Sequence, residues 1–219
     1  MVDLIHGLTA DRVRGNLERV RERIAATGRD PADVQILGAV KYLPAEELAT
    51  LADGGVTLVG ENRAQDLVAK TEAFPGRFTW DFIGQLQSRK VRDLVGRVRY
   101  IHSVASDSAL AQLARHGTPE TQIMVEVNVA GEEGKSGVVP AELEAFLARC
   151  QVEVVGLMTM PPLAARPEDS RPHFAALRSL AEEHGLRHLS MGTSQDYVVA
   201  VEEGATIVRL GTVLYTSAS

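Results

Sequence analysis

The chain has 219 residues, 45% of them hydrophobic and 24% charged, with a formal net charge of −6. Such a composition belongs to a soluble globule that buries on the order of 70% of its unfolded surface. It argues against a general polyanion binder, and no apolar run approaches the roughly 18 residues of a membrane span. The single cysteine, Cys150, excludes an intramolecular disulfide and a thiolate zinc cluster, and its apolar setting AFLARCQVEVVG marks it as core filler.

The opening MVDLIHGLTADRV lacks both a basic start and an apolar core of signal-peptide length, so a cytoplasmic protein is expected. From Thr9 to Gly28, Val13, Leu17, Val20 and Ile24 recur at helical spacing and form one apolar stripe ending at a glycine. Short apolar runs follow: VQILGAV, VTLVG, TWDFIG, RYIHSV, QIMVEVNV, VEVVGLMTM, RHLSMG and TIVRLG, eight candidate strands. Between them lie segments such as PAEELATLADGG, NRAQDLVAKTEAF and PHFAALRSLAEEHG, each long enough for a crossover helix.

Eight βα units in a chain of this length predict one (β/α)8 TIM barrel over residues 1–219, and no G-x-G-x-x-G points to a doubly wound sheet instead. After the last strand only TVLYTSAS remains, too short for a full crossover helix, so the extra N-terminal helix is expected to fill that gap. The proline-rich stretch MPPLAARPEDSRP, residues 160–172, is expected near the barrel mouth. The basic residues Arg89, Lys90, Arg92, Arg97 and Arg99 read first as a solvated helix face and only second as a patch for a protein or RNA partner.

In such a barrel, function is built from groups at the C-terminal ends of the strands. Here these are Lys41, Glu61, Asn62, Gln85, Gln87, His102, Ser103, Asn128, Met158 and Thr159, then SMGTS and RLGT. Singly, each has a bland reading: Lys41 can snorkel to water, His102 can be a satisfied hydrogen-bonder, Asn128 can cap a turn. SMGTSQDYVV and RLGT together place small residues and backbone amides after strands seven and eight, a recurrent phosphate position in barrels. A mouth lysine facing such a site points to an imine with a phosphorylated aldehyde, since partial burial favours the neutral amine. Pyridoxal phosphate chemistry and a sugar-phosphate aldolase both satisfy that description.

Two motifs are set aside. GEEGKSG, residues 131–137, has two residues between its first two glycines where a P-loop needs four, and Glu132 and Glu133 would repel phosphate. His184 and His188 are four apart, but Gly185 is expected to end the helix between them, so no metal site is assigned.

Taken in order, Lys41, GENR, FIGQLQSRK, GKSG, GLMTM, LSMGTSQD and VRLGT resemble the pyridoxal-phosphate homeostasis proteins, also called the YggS or PROSC family, over nearly the whole chain. The resemblance extends to the alanine-racemase barrel, fold type III among proteins that bind pyridoxal 5'-phosphate (PLP). It implies that Lys41 is the Schiff-base lysine and that Ser190, Gly192, Ser194, Gly211 and Thr212 form the phosphate cradle. It further implies that Arg209 faces the pyridine nitrogen and that Asn62 contacts the ring side. The sequence departs from the family pattern at Val40, Gln85 and Thr193, where Ser or Thr, His and Met are usual, and in the tail after GTVLY.

An arginine at the ring nitrogen, with an ordinary pKa above about 12, leaves that nitrogen unprotonated and disfavours strong carbanion chemistry. The related racemases also draw a second base, a tyrosine, from an additional β domain, and neither Tyr197 nor Tyr215 is placed by pattern in that role. The expected function is therefore reversible PLP binding in intracellular PLP homeostasis, with no catalytic residue assigned. PLP-dependent apo-enzymes are the expected recipients, and no nucleic-acid or membrane partner is expected. A monomer is expected, since no large apolar surface stripe is left over. A small PLP-dependent amino-acid racemase is the alternative, and a sugar-phosphate lyase without PLP a third reading.

Overall fold

The computed structural model describes residues 4–163 and 165–216. In chain order the elements are α1 (Ala10–Ala26), β1 (Gln35–Ala39), α2 (Leu48–Asp53), β2 (Leu58–Glu61), α3 (Ala64–Ala73), β3 (Thr79–Phe82), α4 (Val91–Leu94), β4 (Tyr100–Val104) and α5 (Asp107–His116). They continue with β5 (Gln122–Glu126), α6 (Leu143–Leu147), β6 (Glu153–Met158), α7 (Arg171–Glu183), β7 (His188–Thr193), α8 (Tyr197–Glu202), β8 (Ile207–Leu210) and α9 (Thr212–Tyr215).

All eight strands pair in parallel with their sequence neighbours, and β8 pairs with β1 from Gln35↔Ile207 to Gly38↔Leu210, closing the barrel. Closure leaves no sheet edge, and because side chains alternate, each strand feeds both the lumen and the layer beneath the helices. The lumen holds a small apolar cluster of Leu37, Met124, Met158 and Ile207, while the main core lies between strands and helices.

Helix α1 behaves as its stripe predicts: Val13, Leu17, Val20 and Ile24 are buried, at roughly 1.5–3 kcal/mol each. Thr9 starts it by accepting a hydrogen bond from the Arg12 amide. It lies between α2 and the short α9. At the first, a Cβ on Gly54 would come 2.5 Å from Val13. At the second, the buried Asn16 amide nitrogen donates to the carbonyls of Leu214 at 2.9 Å and Thr216 at 3.0 Å. The N-terminal helix thus fills the gap after the last strand, satisfying carbonyls that would otherwise cost roughly 1–3 kcal/mol each to bury unpaired.

Several crossover helices are shorter than their segments. The stretch from Pro44 begins with a 3-10 turn before α2, Pro140 opens another before α6, and α4 is a single turn. The basic stretch 89–99 is accordingly no continuous helix face. Arg89 and Lys90 sit in a 3-10 turn, and Arg99 folds inward at the base of the barrel. Gly185, at φ 62°, ends α7 as expected, leaving His184 beyond the helix and His188 in β7. Among the described residues no helix is long and apolar enough to cross a membrane.

Candidate functional site

The C-terminal ends of β1, β2, β7 and β8 bring together most of the residues singled out above. Lys41 follows β1 in a 3-10 turn (Val40–Tyr42), with its ammonium 4.6 Å from the Tyr42 ring centroid. Its side chain is exposed, which corrects the expectation of a partly buried amine: the turn lifts it out of the strand while Val40 is buried beneath it. That turn is anchored from behind. The buried Lys70 ammonium donates to the Val40 carbonyl at 2.8 Å and to Glu61 Oε2 at 2.6 Å.

Glu61 Oε1 in turn accepts the backbone N–H of Asn62 at 2.6 Å. One buried ion pair therefore fixes the residue before Lys41 and the amide of Asn62. Glu61, expected at the mouth, points outward into this clamp, and sequence reasoning missed Lys70 because nothing local in NRAQDLVAKTEAF marks it as the partner of Glu61. Among the described residues, Asn62 Oδ1 is a buried acceptor with no hydrogen-bond partner.

On the other side, Ser194 Oγ receives the N–H groups of Gly211 at 3.1 Å and Val213 at 3.5 Å. A serine hydroxyl that accepts twice keeps its own proton free to donate. Thr212 stands at the first position of α9, where a backbone N–H has no intrahelical acceptor. Gly192 is required for packing: its φ is 90° and a Cβ would meet the Ala200 Cβ at 2.6 Å. Thr193 holds the turn that follows, its N–H and hydroxyl both donating to Asp196 Oδ1, at 2.7 and 3.1 Å.

Arg209, on β8, is buried, and its guanidinium forms no ion pair among the described residues. Nη1 donates to the Ser190 carbonyl and hydroxyl, both at 2.6 Å. Nη2 donates to the Thr159 carbonyl at 2.9 Å and meets the Met160 thioether at 2.8 Å. Burial lowers the guanidinium pKa to about 10, against the opposing pull of Asp196 and Glu126. It falls below the value assumed from sequence, yet Arg209 is still a cation at neutral pH. Met160 opens the 160–172 segment, so that loop does border the mouth.

Ser190 stands apart from Ser194 and Gly211. It is fully buried in the lumen, where its hydroxyl meets Arg209 and, at 2.8 Å, His102 Nδ1. His102 Nε2 lies 3.0 Å from Asp81 Oδ2, and Arg99 closes the column with Nε at 3.0 Å from Oδ1 and Nη2 at 2.6 Å from Oδ2 of Asp81. Burial drives the His102 pKa down, outweighing the Asp81 contact, while Arg209 and Arg99 push the same way. For Asp81, burial raises the pKa but the bonds from His102 and Arg99 override it and hold it low. A carboxylate below a neutral imidazole follows.

Neither tyrosine reaches this space. Tyr215 OH lies 3.1 Å from where a Cβ on Gly38 would stand, on the outer face of β1, and Tyr197, the first residue of α8, is buried with its hydroxyl toward Arg23 of α1. Asn128 caps its loop through both side-chain atoms with Glu132, as its bland reading had it. In GEEGKSG, Lys135 pairs with Glu132 and Ser136 donates to Glu126.

The alanine racemase N-terminal domain model matches residues 8–219. A pyridoxal phosphate homeostasis protein of Aquifex aeolicus is 40% identical over 219 residues, covering 94% of this chain and 96% of that one. The structure of PipY from Synechococcus elongatus with PLP bound is 32% identical, superposes with a TM-score of 0.76, and covers 90% of this chain and 100% of its own. Alanine racemase from Corynebacterium glutamicum shares the fold at 16% identity, with a TM-score of 0.73 over 98% of this chain and 64% of its own.

The buried imidazole gives stability a pH dependence. Below about pH 6.5 the unfolded state protonates His102 and the folded state resists, so stability falls as pH falls, by up to about 1.4 kcal/mol per pH unit. Half-buried His188 acts in the same direction and buried Glu126, whose pKa is raised by burial, in the opposite one. Both persist in His102→Gln. Thermal melts of the two proteins from pH 7 to pH 4.5 should therefore show the shallower acid loss in the variant. Parallel curves would contradict a neutral buried His102.

Proposed function

Since the chain belongs to the pyridoxal phosphate homeostasis proteins, within the alanine racemase N-terminal domain family, we propose that it holds PLP at the mouth formed by Lys41, Asn62, Ser194, Arg209, Gly211 and Thr212. The observation that carries this reading is the buried Arg209 guanidinium, which among the described residues has no carboxylate partner and rests one of its N–H groups on a thioether, a weak acceptor. Met160 is about half exposed at 51%, so a better acceptor can take its place.

PLP supplies an aldehyde that forms a Schiff base with an amine, a phosphate and a pyridine ring. Lys41 provides the amine, on a turn held by the Lys70–Glu61 pair. The free Ser194 proton and the Thr212 amide at the start of α9 offer donors to the phosphate. Asn62 presents its side-chain amide to the ring side. Arg209 donates to the ring nitrogen and keeps its own proton, because a guanidinium with a pKa near 10 is a far weaker acid than a pyridinium. Gly192 shapes the β7–α8 turn, and Ser190 acts through Arg209 and not through the phosphate.

A site so built binds the cofactor firmly and leaves its electron-withdrawing power low, which suits holding and release better than turnover. The protein serves intracellular PLP homeostasis from the cytoplasm, handing PLP to PLP-dependent apo-enzymes. The exposed large apolar side chains of the described residues are Leu4, Val139, Met160 and Leu163, too few for an extensive apolar interface, so we expect a monomer; light scattering at twice the 23.6 kDa chain mass would contradict this.

Titration with PLP, followed by visible absorption, tests the reading. A lysine-bound cofactor band should appear in the unaltered protein and vanish in Lys41→Ala. Ser194→Ala should weaken binding about 10-fold, the scale of one lost hydrogen bond to a charged group, and pyridoxal, which lacks the phosphate, should not feel that substitution. A band that survives in Lys41→Ala would refute it. Rapid Lys41-dependent exchange of an amino acid's α-hydrogen for solvent deuterium would favour the racemase.

A further inference from the structure

Strands β4 and β7 are not neighbours in the sheet, so the bond between His102 and Ser190 passes through the lumen. It belongs to an unbroken column that runs from the part-buried Arg99 through the buried Asp81, His102 and Ser190 to Arg209. Asp81, His102 and Ser190 are each 0% exposed, and burying such groups is costly unless each is satisfied. Around them the lumen is lined by Leu37, Met124, Met158 and Ile207, so apolar side chains fit this space.

The column has one consistent direction. Asp81 is acceptor-only, with Arg99 on both its oxygens and the Tyr100 amide at 3.3 Å, so His102 must present Nε2–H to it. The neutral imidazole then has a bare Nδ1, which accepts the Ser190 proton. With that proton committed, the Ser190 lone pairs face Arg209 Nη1, which also holds the Ser190 carbonyl. The guanidinium is thereby pinned on one side, and its Nη2 edge is turned toward Thr159 and the mouth. Protonating His102 would put donors on both sides of Ser190 and break the order. The charged or titratable groups around the column are Arg99 and Asp81 below, Arg209 above, His188 across the Tyr100 ring, and Glu126 and Asp196 near Arg209.

We propose that Asp81, His102 and Ser190 are positioning residues that hold Arg209 in a fixed donor orientation and so set the hydrogen bond to the ring nitrogen of bound PLP. This rests on the reading that Arg209 meets that nitrogen. The residues touch no cofactor themselves and act only through the guanidinium.

The test is nuclear magnetic resonance of PLP carrying 15N in its ring, bound to the full chain, with retention on dialysis as a second readout. The unaltered protein and Ser190→Thr, which keeps the hydroxyl, should give the same signal, that of an unprotonated, hydrogen-bonded ring nitrogen. In Ser190→Ala and His102→Gln the signal should move toward that of an unbonded pyridine and PLP affinity should fall about 3- to 10-fold. Asp81→Asn should shift it less. In every one the lysine-bound absorption band should persist. If His102→Gln fails to fold, Ser190→Ala, which removes a single oxygen, decides the matter. Arg209→Gln separates the two levels: if it leaves the ring signal unchanged, the Arg209 reading itself fails. If Arg209→Gln moves the signal and Ser190→Ala does not, the column alone is overturned.

Discussion

A guanidinium buried without a carboxylate is the constraint on which the rest of the site depends. Removing an arginine from water is expensive, and here the compensation comes from carbonyl and hydroxyl oxygens, those of Ser190 and Thr159, in place of an opposite charge. Such an arrangement keeps the cation present at neutral pH while leaving its mouth-facing edge without an ion pair among the described residues. The polar column beneath follows from the same need: a Ser190 hydroxyl that must accept from Arg209 requires His102 to take its proton, and His102 requires Asp81.

A second buried pair, Lys70 with Glu61, does for the rim at β1 and β2 what the column does for Arg209. It lies in the outer layer, between β2 and α3, and ties down the Val40 carbonyl and the Asn62 amide. Lys41 itself is exposed. Its reactivity therefore depends on what the turn places it against and not on a desolvated amine. The barrel thus divides the work between its two side-chain layers, with the lumen orienting a cation and the outer layer orienting a nucleophile's backbone.

Much of this was legible before any coordinates. Eight apolar runs separated by helix-length segments suited a barrel better than a doubly wound sheet, and the apolar stripe of α1 marked it as a packed helix. Arg209, Ser194 and Gly211 stood out because strand ends face the mouth. What escaped was governed by side-chain parity and by partners distant in sequence. Ser190 and Ser194 lie four residues apart in one motif, yet one points into the lumen and the other lines the rim. Asp81 and His102 belong to different strands, and nothing local marks them as a pair. Arg99 reads as one more surface cation in a basic stretch until Val95 and Gly96 break the helix and turn it onto Asp81. The Lys41 turn is likewise invisible locally, because Val40 and Lys41 continue the strand pattern.

The central claim is that β1 delivers Lys41 to a mouth whose adjoining wall, at the ends of β7 and β8, is arranged for PLP. Borohydride reduction of the PLP-loaded protein, followed by peptide mass mapping, tests this most directly, because reduction makes the attachment permanent at whichever amine holds the aldehyde. The account predicts one mole of label per chain on the peptide containing Lys41. Label spread over Lys90, Lys135 and other exposed lysines, or concentrated on any one of them, would contradict it.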